Sequence, residues 1–299
     1  MRDTLTTLAE ERVAIDHALA RLCDDTQEHF SPRMAEAIRY ALLGEGKRLR
    51  GFLLLRAYAA CGGTGDAAPL AASVEVVHAY SLVHDDLPCM DDDDVRRGRP
   101  TVHRRFDVEV ATRAGLAMVP LAALAAFRAS RALGLSAQES GDIVRELMRA
   151  SGGGGMIGGQ LLDLDAEGGG ETLGLEALER IHRGKTGALV QAAVGLGARA
   201  ARASDAQLRA LAEYGADIGL AFQIADDVLD LTSTTDQLGK TAGRDVALGK
   251  TTYPALLGVE GARRRAEALV EKGCHALRRA RIESESLEAL ARYAVERRS

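Results

Sequence analysis

Two clusters of aspartates have the residue types and the spacing that could do chemistry in this sequence. The first lies in HDDLPCMDDDDVRRGRP (84–100), where six aspartates fall within ten residues and three arginines follow. The second is FQIADDVLD (222–230), with three aspartates. Carboxylates crowded in this way repel one another unless cations lie between them. Mg²⁺ binds through a few carboxylate oxygens with phosphate as a co-ligand. The clusters therefore predict a site for Mg²⁺ and a diphosphate.

The first cluster follows an apolar segment, SVEVVHAYSLVH (73–84), that has helical periodicity. Pro88 must disturb this helix, because proline lacks an N–H and clashes with the preceding turn. We therefore expect Asp85 and Asp86 at a helix end or on a local bulge. Repulsion between Asp85 and Asp86 directly beside an apolar segment would be costly without cations. The aspartates at 92–94 are instead interpreted as a solvated face.

The second cluster has its acidic residues on one face of a helix. Asp226 and Asp230 are four residues apart, and together with Gln223 and Asp227 they fall within an arc of about 100° on a helical wheel. Like charges at this spacing repel, which again favours a bound cation. The clusters are about 140 residues apart in the chain. They could face each other across a cavity and hold Mg²⁺ against a diphosphate.

Basic residues in short glycine-containing motifs accompany the clusters. These are Lys47 and Arg50 in GEGKRLRG, Lys185 with Thr186 in GKTGAL, Lys240 in LGKT, and Lys250 in GKTTYP. A lone lysine normally faces solvent. Beside two clusters of the Mg²⁺ type, these cations indicate more than one anionic substrate.

Composition predicts that helices position these residues. Of the 299 residues, 46% are apolar and only 4% are aromatic, and alanine, the strongest helix former, is prominent. Helical periodicity recurs from end to end without a separating linker or a repeat of fixed period. We therefore predict an all-α fold in a single domain over residues 1–299. The segment 111–133 is apolar almost all round, so we expect it to be central and kinked at Pro120.

Charge, cysteines and hydropathy exclude several classes of protein. A net charge of −5 gives no support to a nucleic-acid surface. The four cysteines form no CxxC pair, so neither zinc nor a disulfide framework is expected and a cytoplasmic location fits. The N-terminus carries charges where a signal peptide needs an apolar core. The longest apolar run, 114–127, has 14 residues. This is too short to span a bilayer, so no membrane span is expected.

Five motifs occur in the order found in one enzyme family. They are GKRLR (46–50), HDDLPCMDDDDVRRGRPTVH (84–103), GGQLLDLDAEG (158–168), HRGKTGAL (182–189) and FQIADDVLD (222–230). Together they resemble the trans-isoprenyl diphosphate synthases, the polyprenyl synthetase family of farnesyl and geranylgeranyl diphosphate synthesis. The first motif departs from the family's GGKRxRP, because Glu45 and Gly51 replace its first glycine and its proline. Leu116 is a second departure, since many relatives have an aspartate there in AGDALL.

The resemblance implies a helical bundle around a central cavity, usually a homodimer, with about three Mg²⁺ ions per active site. The implied metal ligands are Asp85, Asp86 and Asp91 in the first cluster and Asp226, Asp227 and Asp230 in the second. The implied contacts of the allylic diphosphate are Arg96, Lys185, Thr186, Gln223 and Lys240, supported by Gln160 and Asp163. The implied contacts of isopentenyl diphosphate are Lys47, Arg50, His78 and Arg97. Lys250 is a further basic contact. Lys185 and Lys240 join the aspartates in the catalytic set.

The implied reaction joins isopentenyl diphosphate to an allylic diphosphate such as dimethylallyl or geranyl diphosphate. Mg²⁺ and the cations turn the allylic diphosphate into a leaving group, and the double bond of isopentenyl diphosphate attacks the allylic cation. By resemblance, Tyr80 forms the floor of the product tunnel and the small Ser81 beside it blocks nothing. The expected product is therefore farnesyl diphosphate. The Pro88–Cys89 insertion also occurs in geranylgeranyl diphosphate synthases, which are the alternative.

Two further classes stay open. A class I terpene cyclase also uses an aspartate-rich motif and Mg²⁺, but its second motif is normally of the Asn/Ser/Glu type. It also has no use for Lys47, Arg50 and Arg97. A non-catalytic synthase subunit normally lacks one aspartate motif, whereas both are intact here. An assay with isopentenyl diphosphate and an allylic partner separates chain elongation, cyclisation and inactivity.

Overall fold

The computed structural model describes residues 2–169, 173–232 and 250–296. Nearly all regular structure in these ranges is helical, which confirms the predicted all-α class. The helices in chain order are α1 (Arg2–Thr26), α2 (Pro32–Leu42), α3 (Leu49–Ala60), α4 (Ala68–Asp85), α5 (Val102–Arg105), α6 (Val108–Ala132), α7 (Ala137–Ser151), α8 (Met156–Gly169), α9 (Leu175–His182), α10 (Ala188–Ala200), α11 (Asp205–Thr232), α12 (Tyr253–Arg279) and α13 (Glu285–Glu296). A 3₁₀ turn (Gln27–His29) follows α1, and a π-helical turn (Arg183–Gly187) joins α9 to α10.

Contacts between Cα atoms divide the chain into two compact units. The first unit is Met1–Leu55 with Thr64–Leu147, and the second unit is Arg56–Gly63 with Met148–Ser299. The first aspartate cluster lies in the first unit and the second cluster in the second unit. A single domain over residues 1–299 remains a prediction.

Helix α4 forms the core of the first unit. It is apolar along nearly its whole length, and Leu70, Val74 and Val77 on it are at most 1% exposed. It packs against α6 and α1. The helix ends at Asp85, three residues before Pro88, so the prediction that the proline leaves the aspartates at a helix end is confirmed.

Helix α6 differs from the central helix expected from the sequence. It continues through Pro120, and one face packs against α4 and α2. The other face exposes large apolar side chains, among them Leu116 (71% exposed), Leu124 (40%) and Phe127 (37%). By length and composition alone this helix could cross a membrane, with a mean hydropathy of 1.7, but 44% of that stretch is buried against the protein.

A short hairpin interrupts the helices of the first unit. Strands β1 (Val95–Arg96) and β2 (Arg99–Pro100) pair antiparallel, with Arg96 opposite Arg99. The two turn residues, Arg97 and Gly98, have φ values of 53° and 73°. Two left-handed residues in a two-residue loop form the type I′ turn that suits strand twist. The hairpin therefore fixes the arginines that follow the first cluster.

The second unit is organised around α11. This helix packs against α12 and α10, and the buried Tyr214 on it donates a hydrogen bond to the carbonyl of Leu287 at 2.7 Å. Helix α12 is kinked at Gly258, where φ is 70°. The three aspartates of the second cluster and Gln223 lie within the last ten residues of α11.

Candidate active site

The loop after α4 folds back and makes the first cluster compact. The N–H of Asp91 donates to the carbonyl of Asp85 at 2.8 Å, and the N–H of Asp93 donates to the carbonyl of Asp86 at 3.2 Å. Pro88 and Cys89 lie in this turn and are exposed. Asp85 and Asp91 are half-buried with adjoining backbones. This arrangement suits two carboxylates that share a cation.

Asp86 has different surroundings from Asp85. It is 3% exposed, and Nε of Arg96 donates to its Oδ1 at 2.6 Å. The Nη2 of Arg96 also lies 3.4 Å from Oδ2 of Asp93. Burial raises the pKa of Asp86, and the hydrogen bond from Arg96 opposes this effect. A buried carboxylate needs such a partner, and the same bond orients Arg96.

Arginines of the first unit surround His78, one of the residues predicted to hold isopentenyl diphosphate. Burial lowers the pKa of His78 well below its ordinary value, and the nearby guanidinium groups of Arg50, Arg97, Arg96 and Arg48 lower it further. His78 is therefore a neutral imidazole among several cations. Such a collection of fixed positive charge favours an anionic ligand.

Two other predicted contacts lie at the start of α3. Lys47 is exposed directly before the helix, and Arg50 is half-buried on its first turn. Arg97, from the hairpin, donates from Nη1 to the carbonyl of Glu45 at 2.8 Å. Arg50 thus lies on the first turn of α3 and Lys47 precedes the helix, and the segment before α3 is tied to the hairpin.

The predicted chain-length residues lie on the same helix as the first cluster. Tyr80 is 9% exposed, and its ring meets the ring of His84 edge-on, with centroids 4.8 Å apart. The hydroxyl of Ser81 donates to the carbonyl of His78 at 2.9 Å. Tyr80 is therefore buried beside His84, and its role in product length stays a prediction.

In the second unit, α8 and the π-helical turn approach very closely because both carry glycine at the contact. A Cβ added to Gly159 would lie 2.0 Å from the backbone nitrogen of Lys185. A Cβ added to Gly184 would lie 2.9 Å from the Cα of Gly159. No larger side chain fits at either place. π-Helical turns occur frequently at functional sites, and this one presents Lys185 and Thr186.

Asp163 on α8 accepts hydrogen bonds from two of the lysines that were predicted to contact substrate. Nζ of Lys185 donates to its Oδ2 at 2.7 Å, and Nζ of Lys250 donates to the same oxygen at 3.4 Å. Burial alone would raise the pKa of Asp163, but Lys185 and Lys250 outweigh this effect and the pKa is lowered. Asp163 thus holds two cations close together, and an arriving phosphate could draw on both.

A chain of hydrogen bonds runs from the π-helical turn through α11 to α12. The Thr186 hydroxyl donates to Oε1 of Gln223 at 2.8 Å, and Nε2 of Gln223 donates to Oδ1 of Asp227 at 3.1 Å. The other carboxylate oxygen, Oδ2, accepts from the backbone N–H of Tyr253 at 3.0 Å. Asp227 is 4% exposed, so both its oxygens are engaged inside the protein.

The remaining predicted residues of the second unit are placed as follows. Asp226 is half-buried and Asp230 is 3% exposed. Gln160 is 7% exposed, and within the described ranges neither polar atom of its amide has a hydrogen-bond partner. An amide buried in this way is suited to receive a polar ligand. Lys240 lies outside the described residues.

The donor set of both clusters fits Mg²⁺. In the part of the chain that the structure describes, no group of three or more His, Cys, Asp or Glu side chains is close enough to hold a metal by itself. Mg²⁺ does not require such a cage, because it is usually held by one or two carboxylates together with water and substrate phosphates. The half-buried Asp85, Asp91 and Asp226 offer hard oxygen ligands of this kind.

Sequence reasoning missed two residues at these sites. Arg48 is 7% exposed and Glu75 is 3% exposed, and both lie beneath the segment that carries Lys47 and Arg50. Arg48 was visible in GKRLR but has no distinguishing signal there, since its charged partners, Asp16 and Glu75, are distant in sequence. Glu75 is a single charge within an apolar helix, which is the signal that could have identified it.

Comparisons with known proteins agree with the motifs. The family model for polyprenyl synthetase matches residues 31–288. The chain is 46% identical to farnesyl diphosphate synthase of Escherichia coli over 88% of this chain and 89% of that protein. It is 44% identical to a chloroplastic geranylgeranyl pyrophosphate synthase of Catharanthus roseus over 79% of this chain, and spans 66% of that relative's length.

Solved structures give the same result. A crystal structure of an FPP/GFPP synthase from Zymomonas mobilis matches with a TM-score of 0.83 and 36% identity, covering 98% of this chain and 99% of that one. Geranylgeranyl pyrophosphate synthetase from Pyrococcus horikoshii matches with a TM-score of 0.85 and 29% identity, covering 99% of each chain. The chain belongs to the polyprenyl synthetase family of trans-prenyltransferases, as the motifs predicted.

Proposed function

We propose that this chain is a Mg²⁺-dependent prenyltransferase that condenses isopentenyl diphosphate with an allylic diphosphate. The observation that carries the proposal is the pairing of carboxylates with cations in each unit. Arg96 lies against Asp86 in the first unit, and Lys185 with Lys250 lies against Asp163 in the second. Cations that carboxylates hold in place suit the diphosphate of a leaving group.

Residues of the first unit are proposed to hold isopentenyl diphosphate. Lys47, Arg50 and Arg97 would bind its diphosphate as charge-assisted donors. His78, kept neutral by burial and by the surrounding arginines, would donate a hydrogen bond without adding charge. Arg96, oriented by Asp86, would reach the allylic diphosphate instead.

Residues of the second unit are proposed to hold the allylic diphosphate. Lys185 would turn from Asp163 to the diphosphate, with Lys250 as a further contact. Lys240 is assigned to the same substrate by its motif. Thr186 and Gln223, which already bond to each other, would present a fixed polar edge. The buried amide of Gln160, together with Asp163, would support the allylic diphosphate from the same unit.

Both aspartate clusters are proposed to serve this one reaction by holding Mg²⁺, about three ions as the resemblance implies. The ligands would be Asp85 and Asp91 from the first cluster and Asp226 and Asp230 from the second. Asp86 and Asp227 add negative charge to the clusters, but their carboxylates already accept hydrogen bonds from donors of the protein. Bound Mg²⁺ would supply Lewis-acid stabilisation of the departing diphosphate.

The proposed main product is farnesyl diphosphate, with geranylgeranyl diphosphate as the alternative. The support is Tyr80, a bulky buried aromatic five residues before Asp85. A helix rises about 1.5 Å per residue, so Tyr80 lies about 7.5 Å along the axis from Asp85. This distance suits a short prenyl tail. Both product classes occur among the relatives named above.

The proposed assembly is a homodimer formed through the exposed apolar face of α6. This face carries Leu116, Leu124 and Phe127 at helical spacing. Contiguous exposed apolar surface usually marks an interaction site, and a second copy of this chain offers an equally apolar surface. We expect Leu124→Asp to lower the dimer fraction, because the charge would be buried in the interface. Sedimentation velocity over a range of concentrations would measure it.

Release of pyrophosphate tests the proposed reaction. The expected result is release that needs geranyl diphosphate, isopentenyl diphosphate and Mg²⁺ together and stops on addition of EDTA. A terpene cyclase would release pyrophosphate from the allylic substrate alone. Release without isopentenyl diphosphate, or no release with all three present, would contradict the proposal.

A further inference from the structure

We infer that a buried network positions the isopentenyl diphosphate side of the site. It consists of the ion pair between Arg48 and Glu75 and the hydrogen bond from the backbone N–H of Gly51 to Glu75. The inference rests on the proposed function, because it concerns how Lys47 and Arg50 are held. None of the three residues is proposed to touch substrate. They act through their neighbours and are therefore positioning residues.

The guanidinium group of Arg48 holds the segment between α2 and α3 from inside. Its Nε donates to Oδ1 of Asp16 on α1 at 2.8 Å. Its Nη2 donates to the carbonyl of Leu42 at 3.0 Å and to the carbonyl of Gly44 at 3.1 Å. Arg48 is 7% exposed. The segment that carries Lys47 is thus tied to two helices by one buried cation.

The backbone of Arg48 sets the start of α3. Its φ is 48°, a left-handed conformation that is uncommon outside glycine and persists only where the surroundings hold it. Its carbonyl accepts the N–H of Phe52 at 2.9 Å, the first helical bond of α3. The direction in which Lys47 and Arg50 leave the backbone therefore depends on how Arg48 is held.

Glu75 balances this cation from α4. Its side chain is 3% exposed, and Oε2 lies 3.9 Å from Nη1 of Arg48. Its Oε1 accepts the backbone N–H of Gly51 at 2.9 Å. The first N–H groups of a helix have no partner within the helix, so Glu75 satisfies one of them at the start of α3. His78 lies three residues further along α4, so the network joins the proposed isopentenyl contacts of both helices.

Gly51 is where this chain departs from the family motif, which has proline at that position. Proline has no N–H to donate, so the motif residue could not make the bond to Glu75. A Cβ at position 51 would lie 2.7 Å from Cδ1 of Ile15. This atom is the tip of a buried side chain, and moving it costs less than moving backbone. Space therefore constrains position 51 less than the hydrogen bond does.

The matched pair Gly51→Pro and Gly51→Ala tests the bond. Both substitutions add a Cβ at the same place, but only proline removes the N–H. We expect Gly51→Pro to raise the KM for isopentenyl diphosphate roughly tenfold, because a buried acceptor loses its donor. Gly51→Ala should change it about twofold or less. The KM for geranyl diphosphate should change about twofold or less in both variants, because its contacts are on other elements.

A double-mutant cycle with Glu75→Ala separates loss of the bond from other effects of proline on the backbone. If the bond is the cause, Gly51→Pro in the Glu75→Ala background should raise the isopentenyl KM by about twofold or less. Arg48→Lys provides a variant with a conserved charge should the proline variant not fold. A lysine cannot bridge Asp16 and two carbonyls, so the same selective rise in KM is expected. Circular dichroism melts identify the folded variants.

Calorimetric titration with isopentenyl diphosphate alone gives a readout besides turnover, and its Kd should follow the KM. A folded Gly51→Pro variant with an unchanged isopentenyl KM, or an equal rise in both KM values, would overturn this inference and leave the proposed function intact. A wild type that condenses no isopentenyl diphosphate would overturn the proposed function and the inference with it.

Discussion

Both aspartate clusters bring like charges close together, but different structural elements carry them. The first lies in a loop that folds back over the end of α4, whereas the second lies along one face of a continuous helix. In each, the first aspartate is half-buried and the second is almost fully buried. Asp86 is neutralised by a cation, Arg96, whereas Asp227 is held by a neutral amide and a backbone N–H.

This difference shows how adjacent aspartates can have separate tasks. Asp85 and Asp226 remain partly accessible to a metal and a substrate. Asp86 orients a cation that is proposed to bind the diphosphate. Asp227 connects α11 to the start of α12 and to Gln223. Removing charge from the first and second aspartates should therefore have different consequences.

The largest effect is expected from neutralising the half-buried aspartates. Asp85→Asn and Asp226→Asn should each lower kcat roughly a hundredfold or more, because each removes a positioned electrostatic contact to the leaving group. The melting temperature should change little. Steady-state turnover at saturating Mg²⁺ is the measurement. A variant of either kind that retains near wild-type turnover would disprove its assignment as a metal ligand.

A smaller effect, on stability, is expected from the buried aspartates. Asp86→Asn loses its charge against Arg96, and Asp227→Asn places an amide donor against one of two existing donors. Each change should lower the free energy of unfolding by about 1–3 kcal/mol. Urea denaturation would measure this loss, with Asp92→Asn on the exposed side of the first cluster as a control. Equal stability of Asp226→Asn and Asp227→Asn would remove the distinction between first and second aspartates.

Of the two clusters, only the first follows a helix that carries a predicted chain-length residue, Tyr80. Tyr80→Ala should shift the product toward C20 or longer while activity is retained, because the bulky ring near the cluster is removed. Ser81→Ala is a matched control with little change in volume and should leave the product unchanged. Chromatography of the dephosphorylated products gives the distribution. An active Tyr80→Ala enzyme with the wild-type distribution would show that Tyr80 does not set chain length.

Local patterns predicted the elements that carry the site. The segment 73–84 was predicted helical and lies within α4 (Ala68–Asp85), because a periodic pattern is a strong signal. The β1–β2 hairpin was missed, because strands of two residues are too short to show alternation. The exposed face of α6 was also missed, because an apolar helix shows no periodicity that separates a buried face from an exposed one.

Contacts between residues distant in the chain could not be predicted from the sequence. The position of Lys47 depends on Arg48, which is held by Asp16, 32 residues earlier in the chain. One carboxylate oxygen of Asp227 accepts the N–H of Tyr253, 26 residues later in the chain. Motif residues could be assigned by type and order, but the residues that orient them are identified only when the packed helices bring distant segments together.

Mass spectrometry of the products tests most directly whether this enzyme catalyses the chain elongation proposed for the two clusters. The wild type would be incubated with dimethylallyl diphosphate, isopentenyl diphosphate and Mg²⁺, and the prenyl diphosphates would be identified by mass. We predict farnesyl diphosphate as the main product, formed by two successive condensations. A cyclic hydrocarbon, or unreacted substrates, would contradict the account, and geranylgeranyl diphosphate as the main product would contradict the assignment of chain length.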